Sequence, residues 1–152
     1  MSLLKSIAPI WVGILLAGCG PVVDNHPGQP VTKRKIVFDK MMRAIQPMGR
    51  MVRGRDAFDS DRFHQDSLAV EALAKQPWVY FPPGSFYVPS RAKPAVWQNP
   101  TKFKLKEQQL LDASAKLSQI SQTGNLAEVR PAYVEVIKAC NDCHAEFRRS
   151  GF

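Results

Sequence analysis

Apolar residues recur at spacings of three and four in four separate stretches of the chain, a period typical of helices that bury one face. The first stretch follows Thr32, which we expect to act as an N-cap, and Gly54 lies near its end. The second begins near Asp59 or Ser60 and is closed by Pro77, because the residue before a proline avoids the helical region. The hydrophobic pattern thus predicts two helices in the first half of the chain.

The second half of the chain shows the same pattern twice. A third helix is predicted from about Thr101 to Gln122, and Gly124 in the following turn stops it. Asn125 and Glu128 have the spacing of a capping box, so we expect a fourth helix to begin there and to continue to about Arg149. No stretch of the sequence alternates apolar and polar residues as a half-buried strand would.

Two prolines fall inside these helical patterns. Pro47 removes one hydrogen bond from the first helix, and we expect a kink there. Pro131 leaves two readings of the fourth helix open. Either the helix kinks at Pro131, or its regular part starts there with proline at the first position.

The connection between the second and third helices, Trp78 to Pro100, is long and rich in prolines and aromatic residues. So many aromatic side chains indicate that the connection packs against the protein, and a packed loop of this length is usually functional or an architectural crossover. Four amphipathic helices with one long crossover loop predict an all-α fold, an antiparallel four-helix bundle.

Residues 1–18 have the features of an export signal. Lys5 gives a positive start, and the apolar run from Ile7 to Ala17 is about 11 residues long, too short for the roughly 20 that span a bilayer as a helix. The run ends in Leu16-Ala-Gly-Cys19, which resembles the lipobox of bacterial lipoproteins, where the cysteine receives a lipid. The alternative is an ordinary signal peptide with a cysteine near its cleavage site.

The lipobox reading defines three parts of the chain: a lipoprotein signal peptide at 1–18, a flexible tether at 19–31, and the helical domain at 32–152. The tether assignment rests on its prolines and glycines and its few large apolar residues. Lipidation at Cys19 would hold the domain on the periplasmic side of a bacterial membrane. Because Gly20 follows the cysteine instead of Asp, we favour the outer membrane.

The formal net charge is +8, and removal of residues 1–18 lowers it only to +7 because Lys5 is the single charge lost. A basic surface suits an acidic redox partner protein or an anionic membrane. We expect no nucleic-acid partner, since the chain is exported, has no nucleic-acid-binding motif, and scatters its basic residues along the helices.

Cys140-Asn-Asp-Cys143-His144 has the C-x-x-C-H spacing of a c-type haem attachment site. On a helix, residues at i and i+3 are about 300° apart, so both thiols lie close to one face and can add across the two vinyl groups of haem. His144 follows directly, and its ring can reach the iron as the proximal ligand. We therefore predict one covalently bound haem c per chain, carried by the C-terminal helix.

Two other uses of a C-x-x-C pair are weaker. A zinc site needs further ligands, and the chain offers no second cysteine pair, only His26 and His64. A redox dithiol usually follows a strand in an α/β fold, and this sequence shows no such pattern.

Several segments resemble the cytochrome c′ family in their order and spacing, from about Thr32 to Phe152. The segments are Ala139 to Arg148 around the haem motif, Pro77-Trp78, Arg91 to Trp97, Gly124 to Leu126, and Arg34, Met41 and Met48-Gly49 in the first helix. Pro47, Pro131, the aromatic-rich loop and the lipid anchor depart from the family's usual pattern.

The resemblance implies a haem buried in the bundle against the first helix, and a homodimer formed through the first two helices. The iron of the family is usually five-coordinate, but some relatives carry a methionine as sixth ligand four residues after the first-helix arginine. Here that position after Arg34 is Phe38, which cannot bind iron and would form the distal wall. The resemblance also places Arg34 at the haem site and Arg148 at the border of the proximal pocket.

The sequence leaves three candidate functions to compare. The first is an exported haem protein that binds small gases such as nitric oxide at a five-coordinate iron. The alternative is a membrane-tethered electron carrier with Met41 or Met48 as sixth ligand, although a methionine stripe is more often core packing. An enzyme such as a peroxidase would need a distal acid–base pair. The first helix contains no histidine, so we do not expect an enzyme.

Overall fold

The computed structural model describes residues 23–150, so the predicted signal peptide and Cys19 lie outside the described residues. Within this range the chain is helical and has no strand, only an isolated antiparallel bridge between Ala92 and Arg148. No helix in the described range is long and apolar enough to cross a membrane. The helices are α1 (Pro30–Val52), α2 (Ser60–Ala74), α3 (Ala95–Gln98), α4 (Pro100–Ser121) and α5 (Leu126–Phe147).

The four long helices form the predicted four-helix bundle. Helix α1 packs on α2, α2 on α4 and α4 on α5, and a contact between α1 and α5 closes the bundle. One hydrophobic core runs between them, and its largest fully buried side chains come from all four helices. Each such side chain contributes about 1.5–3 kcal/mol by leaving water. Prominent among them are Met48, Phe63, Val70, Leu117, Val129 and Val136.

Helices α1 and α5 run antiparallel, as two of their contacts show. At one, a Cβ on Gly49 would collide with the hydroxyl of Tyr133, so the close approach requires glycine. At the other, the rings of Phe38 and His144 are in contact. The two contacts lie 11 residues apart on each helix, which is about 16 Å at 1.5 Å per residue.

The start of α1 corrects the prediction for the N-terminal segment. The helix begins at Pro30 and not after Thr32, because the buried carboxylate of Asp24 accepts hydrogen bonds from the backbone N–H groups of Val31 (2.9 Å) and Thr32 (3.2 Å). Proline is suited to the first helical position since it has no N–H to satisfy. The last part of the predicted 19–31 tether is therefore packed against the domain.

The two internal prolines lie within continuous helices. Pro47 is inside α1 and Pro131 is inside α5. Helix α5 already begins at Leu126, where the side chain of Asn125 accepts a hydrogen bond from the Ala127 N–H (2.9 Å) and donates one to Glu128 (3.2 Å). The reading in which the fourth helix starts at Pro131 is therefore wrong, because the Asn125 cap fixes the earlier start.

The crossover between α2 and α4 is packed, as its aromatic residues predicted. It contains a 3-10 turn at Trp78–Tyr80 and the short helix α3, neither of which the hydrophobic period predicted. The indole N–H of Trp97 donates to the carbonyl of Phe81 (3.1 Å) and closes the loop on itself. The antiparallel bridge, with Lys93 N–H donating to the Phe147 carbonyl (2.8 Å), ties the crossover to the end of α5.

Candidate functional site

The thiols of Cys140 and Cys143 lie on the last turns of α5, and neither forms a disulfide. Both residues are half-buried, but they contact different surroundings. Cys140 packs against the main core of the bundle. Cys143 packs against a second apolar cluster between the crossover and α5, centred on Ala92, Val96 and Phe147. The two thiols therefore lie at the boundary between the bundle and the crossover.

The ionisation of these thiols argues against a redox dithiol. Burial raises the pKa of Cys140 to about 11, and burial together with the neighbouring Cys140 raises the pKa of Cys143 to about 11. Reactive cysteines have lowered pKa values, because the thiolate is the nucleophile. Before haem is attached, both side chains are therefore protonated thiols at neutral pH.

The zinc alternative also lacks support in the part of the chain that the structure describes. Residues 23–150 contain no group of three or more His, Cys, Asp or Glu side chains that could hold a metal ion. The histidines considered as extra ligands are engaged elsewhere. His64 Nδ1 lies 2.7 Å from the Ser121 hydroxyl, and the ring of His26 stacks on Tyr87.

His144 directly follows the second thiol, and its ring faces Phe38 of α1. The ring centroids of His144 and Phe38 are 6.5 Å apart at an interplanar angle of 75°, and Phe38 also contacts Trp78 edge-on at 6.4 Å. Partial burial lowers the pKa of His144, and the positive charges of Arg148 and Arg91 lower it further. These effects favour the neutral imidazole, which is the form that ligates metals.

The two first-helix methionines considered as iron ligands are part of the hydrophobic core. Met41 is 3% exposed and Met48 is fully buried, and both pack in the main cluster between the helices. The α1 side chain in ring contact with His144 is Phe38. The arrangement therefore agrees with the reading of the methionine stripe as core packing.

Arg34, which the resemblance assigned to the haem site, has a different set of contacts. Its side chain is 5% exposed, and its guanidinium donates to the carbonyls of Tyr80 (3.0 Å) and Ser85 (2.5 Å) and to the hydroxyls of Ser85 (2.9 Å) and Ser90 (2.6 Å). It also lies 4.4 Å from the ring centroid of Phe81. The crossover accepts these donors, so Arg34 ties α1 to the crossover. The cofactor contact that the resemblance implies for Arg34 stays a prediction.

Arg148 lines a groove that also includes His144. Its place at the border of the proximal pocket, which the resemblance implies, stays a prediction. The groove has a volume of about 400 Å³ and is strongly basic. Burial lowers the pKa of Arg148, and the nearby Arg91 lowers it further. The groove is lined by Arg91, Lys93, Asn141, His144, Ala145, Arg148, Arg149 and Ser150.

Sequence reasoning missed Arg91, Lys93 and Arg149 as neighbours of this site. Arg91 and Arg149 are brought together by the antiparallel bridge, where the Arg149 N–H donates to the Arg91 carbonyl (2.8 Å). The two residues are 58 positions apart in the chain, and no local pattern predicts a single bridge over that distance. The family resemblance of the segment Arg91 to Trp97 was the one sequence feature that could have placed Arg91 and Lys93 near the site.

The donor set at the end of α5 fits haem c. Two unpaired thiols stand at i and i+3, a neutral imidazole follows, and aromatic side chains of α1 and the crossover surround them. Thiols can form thioether bonds to haem, and an imidazole is the usual proximal ligand of its iron. These residues could therefore hold a covalent haem between α5 and α1.

Residues 29–148 match the family model of cytochrome c′. The cytochrome c′ of Rubrivivax gelatinosus is 29% identical over 125 residues, which cover 82% of this chain and 97% of the relative. The solved structure of that organism's protein matches with a TM-score of 0.78, at 28% identity, over 82% of this chain and 98% of that one. A ferrous variant of cytochrome c prime from Alcaligenes xylosoxidans with bound NO matches with a TM-score of 0.77 at 26% identity, covering 84% of this chain and 98% of that one. The chain therefore belongs to the cytochrome c′ family and carries one covalently bound haem c.

Proposed function

We propose that this chain is an exported, lipid-anchored haem protein whose five-coordinate iron binds small uncharged gases such as nitric oxide. Cys140 and Cys143 form the thioether bonds, and His144 is the proximal ligand. The lipid on Cys19 holds the domain on the periplasmic side of a bacterial membrane, with the outer membrane favoured. When bound, the haem supplies an iron that can take a small ligand, and the side chains around it determine which molecules reach it.

The observation that carries this proposal is the contact between Phe38 and His144. A phenyl ring has no lone pair to donate to iron, and Phe38 is the α1 side chain that faces the proximal histidine. Trp78 packs against the edge of Phe38, which is partly buried against the main core. A wall of this kind admits a small neutral molecule and disfavours anions, because a buried charge without a partner is costly.

The solved relative with bound NO supports the same ligand class for this chain. That structure belongs to a cytochrome c prime variant in the ferrous state. The family match covers residues 29–148, which include both sides of the α1–α5 contact region. We carry the gas-binding function over on this basis and on the apolar character of Phe38 and Trp78.

The alternative is a membrane-tethered electron carrier, and the basic groove beside His144 favours it. Four cationic side chains, Arg91, Lys93, Arg148 and Arg149, line this groove. Such a surface would steer an acidic partner protein toward the haem. A peroxidase or other enzyme is disfavoured, since the side chain that faces His144 is a phenylalanine and not an acid or a base.

Optical spectra of the ferric and ferrous holoprotein test the proposal. We expect a high-spin, five-coordinate ferrous spectrum that changes on addition of nitric oxide and of carbon monoxide. A methionine-to-iron charge-transfer band in the ferric spectrum that is lost in Met41→Leu or Met48→Leu would instead establish the electron carrier. Haem should remain with the denatured protein through acid–acetone extraction, and its release would contradict attachment through Cys140 and Cys143.

We also propose a homodimer formed through α1 and α2, as the family resemblance implies. The holoprotein should sediment with twice the mass of one chain. A monomer at micromolar concentration would contradict this part of the proposal.

A further inference from the structure

Residues 23–29, which precede α1, are fixed to the crossover. The ring of His26 stacks on the ring of Tyr87 with centroids 3.4 Å apart and planes at 16°. Asp24 is fully buried and accepts the N–H groups of His26, Val31 and Thr32. Asp24 and His26 therefore hold this segment directly beside the crossover.

The predicted lipid-bearing residue is close to this point in sequence. Cys19 precedes Asp24 by five residues. A chain spans at most about 3.3–3.6 Å per residue, so the lipidated thiol lies within roughly 20 Å of the buried Asp24 whatever path the chain takes. With so short a connection, the part of the domain around Tyr87 stays near the bilayer surface.

The surface at this point combines apolar and basic side chains. Phe86 and Val88 flank Tyr87, and Val88 is 72% exposed. The guanidinium of Arg149 donates to the carbonyls of Phe86 (3.3 Å) and Ser90 (2.6 Å), and Arg91 donates to the Arg149 carbonyl (3.0 Å). We call this surface, made of Phe86, Val88, Arg91 and Arg149, the crossover patch.

We propose that the crossover patch rests on an anionic lipid surface, so that the anchored domain has a fixed orientation on its membrane. The inference rests on the proposed lipid anchor. Exposed apolar side chains enter the headgroup region, and the adjacent arginines are attracted to lipid phosphates. Because Arg91 and Arg149 also line the groove beside His144, that side of the haem site faces the lipid.

Site-specific fluorescence on the lipidated holoprotein tests this orientation. Cys19 is occupied by lipid and the two other cysteines by haem, so Val88→Cys provides a single labelling site for an environment-sensitive dye. Val134→Cys is the matched control, since Val134 is 55% exposed on α5. Each labelled protein is reconstituted in vesicles of phosphatidylcholine with phosphatidylglycerol, with and without a spin label on the lipid headgroup. The ratio of the dye intensity with the spin label to the intensity without it removes the constant quenching by haem.

We expect headgroup quenching at residue 88 to exceed that at residue 134 several-fold, and to fall in vesicles of phosphatidylcholine alone. Arg91→Gln should reduce the quenching, whereas Arg43→Gln, an exposed arginine of α1, should not. Equal quenching at the two sites in protein that floats with the vesicles would overturn the docked orientation and leave the patch open to a redox partner. Purified protein that carries no lipid on Cys19 by mass and does not float with the vesicles would show instead that the anchor itself is wrong.

Discussion

At the scale of a single residue, the proposed function assigns Phe38 control over the access of ligands to the haem. Its ring lies against His144 and is held by Trp78, so a ligand approaching the iron from the α1 side must displace it. In Phe38→Ala we expect carbon monoxide to bind the ferrous protein roughly tenfold faster, which corresponds to about 1.4 kcal/mol less barrier. Flash photolysis of the carbon monoxide complex measures this rate.

Phe86→Ala is the matched control, since it removes an exposed phenyl ring from the crossover. Its rate should equal that of the parent protein. If Phe38→Ala leaves the rate unchanged, Phe38 does not form the distal wall, and the selectivity for small gases needs another cause.

The sequence could predict the haem donors because they are local. Cys140, Cys143 and His144 lie within five consecutive positions, and their chemistry follows from this spacing alone. Arg34 could not be assigned in the same way, because its acceptors lie 46 to 56 residues away along the chain. The resemblance gave the position of this arginine but not its contacts.

Arg34 joins two elements, α1 and the crossover. Its guanidinium is buried and donates to both Ser85 and Ser90, and a hydrogen bond to a charged group contributes about 1.5–3 kcal/mol. Arg34→Met removes these donors and leaves buried oxygen atoms without partners. We expect the free energy of unfolding to fall by about 2–4 kcal/mol, measured by urea denaturation of the holoprotein, with faster proteolysis of the crossover.

Lys35→Met controls for the loss of a positive charge at the neighbouring position. Lys35 is exposed and pairs with Asp39 at 2.9 Å, and such a surface pair contributes at most about 1 kcal/mol. If the two variants lose equal stability, Arg34 does not hold the crossover.

Asp24 connects the N-terminal segment to α1 through its ionised carboxylate. Burial alone would raise the pKa of Asp24, but hydrogen bonds from the backbone N–H groups of His26, Thr32 and Val31 lower it below the ordinary 3.8. Because the pKa is lower in the folded state than in the unfolded state, the ionised carboxylate stabilises the fold at pH values above the unfolded-state pKa. This stabilisation is lost as the pH falls through the folded-state pKa.

Asp24→Asn should therefore be less stable than the parent at neutral pH, and the difference should shrink as the pH falls below about 4. Urea denaturation across this range measures it, and the other carboxylates cancel because both proteins contain them. A difference that does not depend on pH would contradict the role of the charge.

The helices were predictable as elements because their apolar period is local, whereas their starts depend on distant partners. Asp59 caps α2 by accepting the Arg62 N–H (3.0 Å), three residues ahead, and the sequence indicated this start. The start of α1 depends on Asp24, a residue that lies six positions before the helix and whose packing against the crossover no periodicity shows.

The whole molecule combines a haem domain with a predicted membrane anchor, and its three cysteines divide between these tasks. Cys140 and Cys143 are at the end of α5, where haem takes both thiols, so Cys19 is the one thiol left to accept lipid. In Cys19→Ala we expect the protein either to remain uncleaved or to leave the membrane fraction. Gly20→Ala, which keeps the cysteine, should fractionate as the parent does. Mass spectrometry of membrane and released fractions decides between these outcomes, and a Cys19→Ala protein of mature mass in the membrane would show that something other than a lipid on Cys19 holds it there.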